Sequence, residues 1–261
     1  TTQPISVRSS DVARVERIDR LAPDVLRLML TLPDGEPIAF KAGQYLNILL
    51  DDGQKRAFSF ATAPHEPGPI ELHIRRVEGG RFTTHVFTAM KPGERLRFEG
   101  PVGSFFLRED GEKPIIFVAG ATGFAPVKSM LEHAFHTGLK RQMVLYWGTR
   151  TLSDMYLREL AERWAAEHPN FRFVPVLSDP APGDHWQGRT GLVHEAILAD
   201  FPTLAGHQVY ACGSVAMVEA AHPAFRARGM DPNDCFSDAF RLTPHLARAT
   251  PAEEVVKLGG A

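Results

Sequence analysis

The sequence predicts two domains: an antiparallel Greek-key β-barrel over residues 1–110, then an α/β domain with a parallel sheet over 111–240, followed by a tail from 241 to 261. Three observations carry this. Up to about Arg108, short runs rich in β-branched and aromatic residues are separated by turn-forming segments. After "REDGEKP", apolar runs alternate with helical patterns, the rhythm of right-handed βαβ units. The length, 261 residues, suits two domains of ordinary size.

In the first half "VLRLMLTL", "GQYLNILL", "RAFSFATA", "IELHIRRV" and "RLRFEG" read as strands. "PDGEP", "DDGQ", "HEPGP" and "KPGE" supply the turns, and such spacing predicts a closed antiparallel barrel. One helix candidate, "RFTTHVFTAM", interrupts it. In the second half the strands are "IIFVAG", "MVLYWG", "FRFVPVL", "QVYACG" and "CFSDAF". "TLSDMYLRELAERWAAEH" is the clearest helix, with Thr151 or Ser153 as its cap and Leu157, Leu160 and Trp164 as its core stripe. In the tail, "TPAEEVV" predicts a helix start, with Thr250 as cap, Pro251 at the first position and Glu253 at the third.

Composition excludes several functions. At 44% hydrophobic and 23% charged, with a net charge of −2, the chain carries no field to recruit nucleic acid. No apolar run is long enough to span a bilayer, and "TTQPISVRSS" lacks a signal-peptide core, so the expected compartment is the cytoplasm. Two cysteines, Cys212 and Cys235, are too few for a disulfide framework, a structural zinc site or an iron–sulfur cluster. His133 and His136 fall three apart on one helix without an obvious third ligand, so no metal site is expected.

The stretch "PIIFVAGATGFAP" is where chemistry first shows. It is neither a G-x-G-x-x-G fingerprint nor a P-loop. A buried strand that ends in small residues and opens a helix still presents backbone N–H groups and a helix dipole to an anion. By itself it is either such a site or only a turn.

Three motifs in order decide between these. "RAFS" at 56–59 follows "AGQYLNILL", "GATGFAP" follows the first parallel strand, and "CGSVAMV" follows the fourth, with "FSDAF" closing the domain. With them the chain resembles the ferredoxin–NADP reductase superfamily over roughly residues 11–240. It is most similar to bacterial NAD(P)H–flavin reductases and to the reductase halves of oxygenase and dideoxysugar electron-transfer chains.

The resemblance implies an FAD site on the barrel. Arg56 would grip a flavin phosphate as a planar fork; otherwise it is a solvated strand-end arginine. Ala57 and Phe58 would pack along the flavin, and Phe58 stands where the family commonly has tyrosine, without its hydroxyl. Ser59 would hydrogen-bond near flavin N5; otherwise it is a plain strand serine. His73, Ile74 and Arg75 would line the flavin with backbone groups. Gly80, Phe82, Thr83 and Thr84 match the glycine-to-serine turn whose N–H groups take the flavin phosphates, and Thr83 also suits an ordinary N-cap.

On the second domain the resemblance implies a nicotinamide dinucleotide. Gly120, Thr122, Gly123 and Pro126 would form the pyrophosphate turn, with Gly123 letting backbone approach the phosphates. Cys212 and Gly213 would position the nicotinamide, and Met217 and Phe240 would complete the wall. Without the resemblance, Cys212 is a buried strand cysteine and Cys235 a core one. In "LSDP", Ser178 could bond a ribose hydroxyl or phosphate, while Asp179 would repel the 2′-phosphate of NADPH. Arg150 would tolerate that phosphate, or else decorates the start of the next helix. NADH is therefore expected to be favoured, with NADPH usable.

The implied function is an NAD(P)H-dependent flavoprotein reductase. A hydride passes from nicotinamide C4 to flavin N5, with Ser59 and Cys212 as the catalytic residues, and electrons then leave to a separate ferredoxin or oxygenase component. One alternative takes free flavin, FMN or riboflavin, as substrate and supplies it reduced to a monooxygenase; Phe58 and "FSDAF" lean that way. The other is a non-catalytic flavin-binding electron-transfer or nucleotide-sensing subunit, against which the intact "GATGFAP" and "CGSVAM" speak.

Overall fold

In the computed structural model, residues 8–33, 37–242 and 253–254 are described. The first half forms β1 (Arg8–Ala22), β2 (Val25–Thr31), β3 (Tyr45–Leu49), β4 (Lys55–Ser59), β5 (Ile70–Arg75), α1 (Arg81–Thr88) and β6 (Arg95–Val102). These strands make one antiparallel six-stranded sheet in the order β4-β3-β6-β1-β2-β5. Its inner face buries Leu28, Leu30, Leu46, Ile48, Leu72 and Phe98, the alternate apolar residues of each strand. The helix expected at "RFTTHVFTAM" is α1, which drops Phe82 and Val86 onto this core.

The longest strand, β1, was not legible in the sequence as a strand. Only alternate residues such as Ala13 and Val15 are buried, and Arg14, Glu16 and Arg17 cover the outer face. The edge strands β4 and β5 share no ladder; beyond the end of β4, Ala61 N–H donates to Glu71 O at 2.9 Å.

The second half contains β7 (Ile115–Gly120), α2 (Phe124–Thr137), β8 (Met143–Thr149), α3 (Arg158–Glu167), β9 (Phe171–Leu177) and β10 (Arg189–Thr190). It continues with α4 (Val193–Asp200), β11 (Gln208–Ser214), α5 (Val215–Ala227), β12 (Cys235–Leu242) and β13 (Glu253–Glu254). The sheet order is β10-β9-β8-β7-β11-β12-β13, parallel except for the last pair. Helices α2 and α3 cover one face and α4 and α5 the other. The strands step outward from β7 to β10, then the chain returns to lay β11 beside β7. Such a reversal opens a crevice at the carboxyl ends of the two strands.

Two sequence expectations are corrected. The clearest helix begins only at Arg158, not near Thr151 or Ser153. Asp154 Oδ2 turns back to accept from Thr151 N–H (3.2 Å) and Thr151 Oγ1 (2.9 Å), and this local competition holds residues 151–154 out of the helix. In the tail, Thr250 and Pro251 lie outside the described residues. Glu253 and Glu254 are not a helix start: they pair antiparallel with Leu242 and Arg241, covering an otherwise open sheet edge.

Among the described residues no helix is long and apolar enough to cross a membrane, and no group of three His, Cys, Asp or Glu side chains could hold a metal. His133 Nε2 instead meets Glu109 Oε1 at 2.6 Å, and His136 stacks on His65 with ring centres 3.7 Å apart.

Candidate functional site

The crevice at β7 and β11 opens toward the end of β4, and between the two halves lies a cleft of about 460 Å³. From the first half, Ala57, Phe58, Ser59, His73 and Arg75 line it. From the second come Gly120, Thr122, Arg150, Ser178, Met217 and Phe240. Eleven positions singled out from sequence, spread over more than 180 residues of chain, thus share one cavity wall.

Of the remaining ones Thr84 and Asp179 are exposed outside the wall, and the others stand behind it, for reasons of strand alternation and packing. Ile74 alternates with His73 and Arg75 and points into the first core. Phe82 packs on the Phe58 ring, centroids 5.6 Å apart. Thr83 does not cap α1 with its side chain: Oγ1 accepts from Val77 N–H (3.1 Å) and donates to Val77 O (3.2 Å). Gly80 must be small because a Cβ there would lie 2.7 Å from Thr83 Oγ1. Helix hydrogen bonding starts with Thr84 N–H to Gly80 O, so the N–H groups of Arg81, Phe82 and Thr83 precede it and face away from intrahelical acceptors. Arg56 is buried, donating to Lys55 O (3.1 Å) and Gln54 Oε1 (2.9 Å).

The glycine turn behaves differently from the expectation. Residues Ala121–Gly123 form a short 3-10 segment that runs into α2, with Pro126 buried in its first turn. Gly123 is absent from the cleft wall. A Cβ at Gly123 would land on the Cys212 carbonyl oxygen and 2.6 Å from its carbon, so this glycine lets the helix start press against β11. Gly120 and Gly213 face each other, and a Cβ on either would collide with Met217 Sδ. Cys212 is fully buried beneath this contact.

Two polar atoms of the wall lack a hydrogen-bond partner although buried: Ser59 Oγ and Asp24 Oδ1. A buried orphan of this kind signals a missing partner. With the Phe58 ring beside it and the open helix start of α1 nearby in sequence, the first-half wall fits a flavin. The switch-point crevice with its paired glycines fits a dinucleotide. Asp24, which also lies 3.7 Å from Arg75 through its other oxygen, had no sequence signal; it sits in an ordinary "PD" turn.

Sequence reading named His73 but missed the buried polar cluster that runs from it away from the cleft wall. His73 Nδ1 lies 2.8 Å from Tyr156 Oη, and His73 Nε2 lies 3.1 Å from Glu71 Oε2. Lys128 Nζ lies 2.9 Å from Glu71 Oε2 and 3.0 Å from Glu132 Oε1. Burial alone would raise the Glu71 pKa, but the hydrogen bond from His73 and the Lys128 ammonium prevail and take it from 4.5 to about 2. Burial lowers the His73 pKa despite Glu71, so His73 is neutral. Glu132 is pushed up, by burial first and by the carboxylates of Glu71 and Glu66, against Lys128.

These shifts set an acid-stability profile. Below pH 6.5 the unfolded chain takes a proton at His73 that the folded one refuses, and stability falls. Burial depresses His65 and His222 in the same sense. Glu132, raised by burial, opposes the histidine loss just above pH 4.5; below pH 4.5 Glu71 adds to the loss until about pH 2. The melting temperature should therefore decline steadily from pH 7.5 to 4. A flat profile between pH 7 and 5 would contradict a buried neutral His73.

Comparison with known proteins agrees with the geometry. The model of the oxidoreductase FAD-binding domain matches residues 12–107, and that of the oxidoreductase NAD-binding domain matches 117–223. The chain is 44% identical over 229 residues to a CDP-6-deoxy-L-threo-D-glycero-4-hexulose-3-dehydrase reductase of Yersinia pestis, spanning 87% of this chain and 68% of that protein. It is 36% identical over 234 residues to an NAD(P)H-flavin reductase of Aliivibrio fischeri, spanning 87% and 97%. Its fold matches the crystal structure of an Amycolatopsis cytochrome P450 reductase with a TM-score of 0.82 at 36% identity, covering 90% of this chain and 71% of that one. The chain belongs to the family of FAD- and NAD-binding oxidoreductases related to ferredoxin and flavin reductases and to the reductase components of oxygenases.

Proposed function

We propose that the chain carries electrons from NAD(P)H through bound FAD to a separate acceptor protein. The observation that carries this is the cleft whose wall joins Ser59 of β4, with its orphaned hydroxyl, to Gly120 and Met217 at the switch point. Once bound, NAD(P)H supplies a hydride and the flavin accepts it and passes the electrons on singly or in pairs. The protein's share is placement and exclusion of water. Ser59 Oγ would hydrogen-bond the flavin edge, Arg56 and the N–H groups opening α1 would hold its phosphates, and Ala121 and Thr122 would take the dinucleotide pyrophosphate. Cys212, with Gly213, backs the nicotinamide. The domain boundary falls near residue 110, in the strand-free segment between β6 and β7. The six-stranded sheet is read as a Greek-key barrel, supported by the hydrogen bond from Ala61, just past edge strand β4, to Glu71 of edge strand β5.

Dehydrase-reductase and P450-reductase relatives support a protein acceptor. A second reading, reduction of free FMN or riboflavin, is favoured by Phe58, whose ring lines the cleft without a hydroxyl to hold flavin, and by the near full-length match to a flavin reductase. The test is the flavin content of the purified protein. Stoichiometric FAD that bleaches with NADH supports the first reading; a colourless protein that reduces added riboflavin supports the second. Failure to oxidise NADH with any acceptor overturns both.

For the dinucleotide, Arg150 Nη2 and Asp179 Oδ2 pair at 3.2 Å at the exposed mouth of the cleft. A 2′-phosphate must compete with that carboxylate for the guanidinium. The expected result is a several-fold preference for NADH in kcat/KM, with NADPH still usable. Asp179→Ala should release Arg150 and shift the ratio toward NADPH, and Arg150→Ala should shift it further toward NADH. A clear NADPH preference in the parent would refute this.

A further inference from the structure

Polar contacts from two places, the start of α2 and Tyr156, join the halves beside the cleft, next to the elements of the dinucleotide half. Lys128 lies one turn into α2, the helix that the 121–123 segment opens. Besides Glu71 and Glu132, its ammonium donates to Ala61 O at 3.2 Å, and the adjacent Ser129 Oγ donates to Thr62 O at 2.7 Å. Ala61 and Thr62 follow Ser59 by two and three residues. Thr62 Oγ1 in turn accepts from Glu71 N–H at 2.6 Å. The helix behind one half-site is thus tied to the chain that carries the other.

Tyr156 makes the second tie. Glu71 is a carboxylate and only accepts, so His73 Nε2 bears the proton and Nδ1 accepts from the Tyr156 O–H. The tyrosine ring stands edge-on to His73 (centroids 5.2 Å, 90°) and to Trp147 (5.4 Å, 86°). Both Tyr156 and His73 border the cleft.

Apolar contacts are not directional, so at the seam shape alone would select the relative angle of the two domains. Buried ion pairs add little net stability over apolar contacts, because desolvation offsets their attraction. What they do supply is direction, since hydrogen bonds tolerate little misalignment. We propose that Lys128 and Tyr156 are positioning residues for hydride transfer. Acting from the dinucleotide domain on Glu71 and His73 of the flavin domain, they set the register of the two half-sites. This role rests on the cleft being the flavin and NAD(P)H site.

The test uses the FAD-loaded protein and its apoprotein, with Tyr156→Phe, Lys128→Met, Lys128→Arg and the double variant Lys128→Met/Glu71→Gln, which strands no Glu71 carboxylate. At saturating NADH, flavin bleaching in a single turnover should slow about tenfold in Tyr156→Phe and at least as much in Lys128→Met and the double variant. Lys128→Arg should restore part of the rate. Affinities of the apoprotein for FAD, and of the loaded protein for NAD+, should change less than about threefold. Hydrogen exchange should quicken in peptides spanning 58–62 and 124–131. Parent-like bleaching in a flavin-binding parent's variants, with only melting temperature lowered, would overturn the positioning role alone. A parent that binds no flavin and is not reduced by NADH would overturn the underlying site and this role with it.

Discussion

Gly123→Ala should be the most damaging single methyl in the second domain. Gly123 has ordinary helical backbone angles, φ −57° and ψ −12°, so alanine meets no conformational penalty there. The cost is steric. The new Cβ would coincide with the Cys212 carbonyl and stand 3.1 Å from Gly213 N. Those atoms belong to the buried strand β11, paired on both sides by β7 and β12, and cannot yield. Helix α2 must then back away from the sheet. Overpacking of this kind costs roughly 1–3 kcal/mol or more, and the upper end is expected here, lowering the melting temperature by about 5–10 °C. Because the pyrophosphate turn moves with α2, NAD+ affinity should fall at least tenfold while FAD affinity stays near that of the parent. Calorimetry and parallel titrations with NAD+ and FAD check this. An alanine variant with parental melting and NAD+ affinity would show that the contact with β11 is not what that glycine serves.

Arg56→Ala should raise the dissociation constants of FAD and FMN roughly ten- to hundredfold, from a charge-assisted hydrogen bond worth about 1.5–3 kcal/mol. Arg56 is buried on β4, the strand that ends in Ser59, with one amino group on Gln54 Oε1. A phosphate would replace Gln54 as acceptor, so Gln54→Ala should leave affinity almost unchanged. Truncating a buried arginine also loses packing. Riboflavin, which has no phosphate, separates the two effects: its binding should weaken far less. Equal losses for riboflavin and FMN would make Arg56 a structural residue, and no loss for either would place the phosphates elsewhere.

Much of the site was legible because strand ends in a parallel sheet are a topological consequence of alternating apolar runs and helices. "GATGFAP" and "CGSVAM" fall at such ends and "RAFS" closes the antiparallel strand β4 opposite them, and their residues Gly120, Met217 and Ser59 share the cleft. The strand β1 was obscured because one-sided burial leaves its outer face charged, and charge dilutes the alternation that marks a strand. The late start of α3 was obscured because Asp154 competes locally for the backbone, which a helical periodicity does not register.

The order of the elements, their two rhythms and the places of the glycine turns follow from the sequence by itself, since periodicity and turn chemistry act over a few neighbouring residues. What each residue meets across the fold was decided only in three dimensions. Gly123 serves the Cys212 carbonyl, Arg150 is engaged by Asp179, and Lys128 and Tyr156 reach Glu71 and His73 across the domain seam. In sequence Lys128 and Tyr156 look like any lysine and tyrosine of two predicted helices. Their partners lie more than fifty residues away, and the packing of two separately formed cores brings them within hydrogen-bond reach.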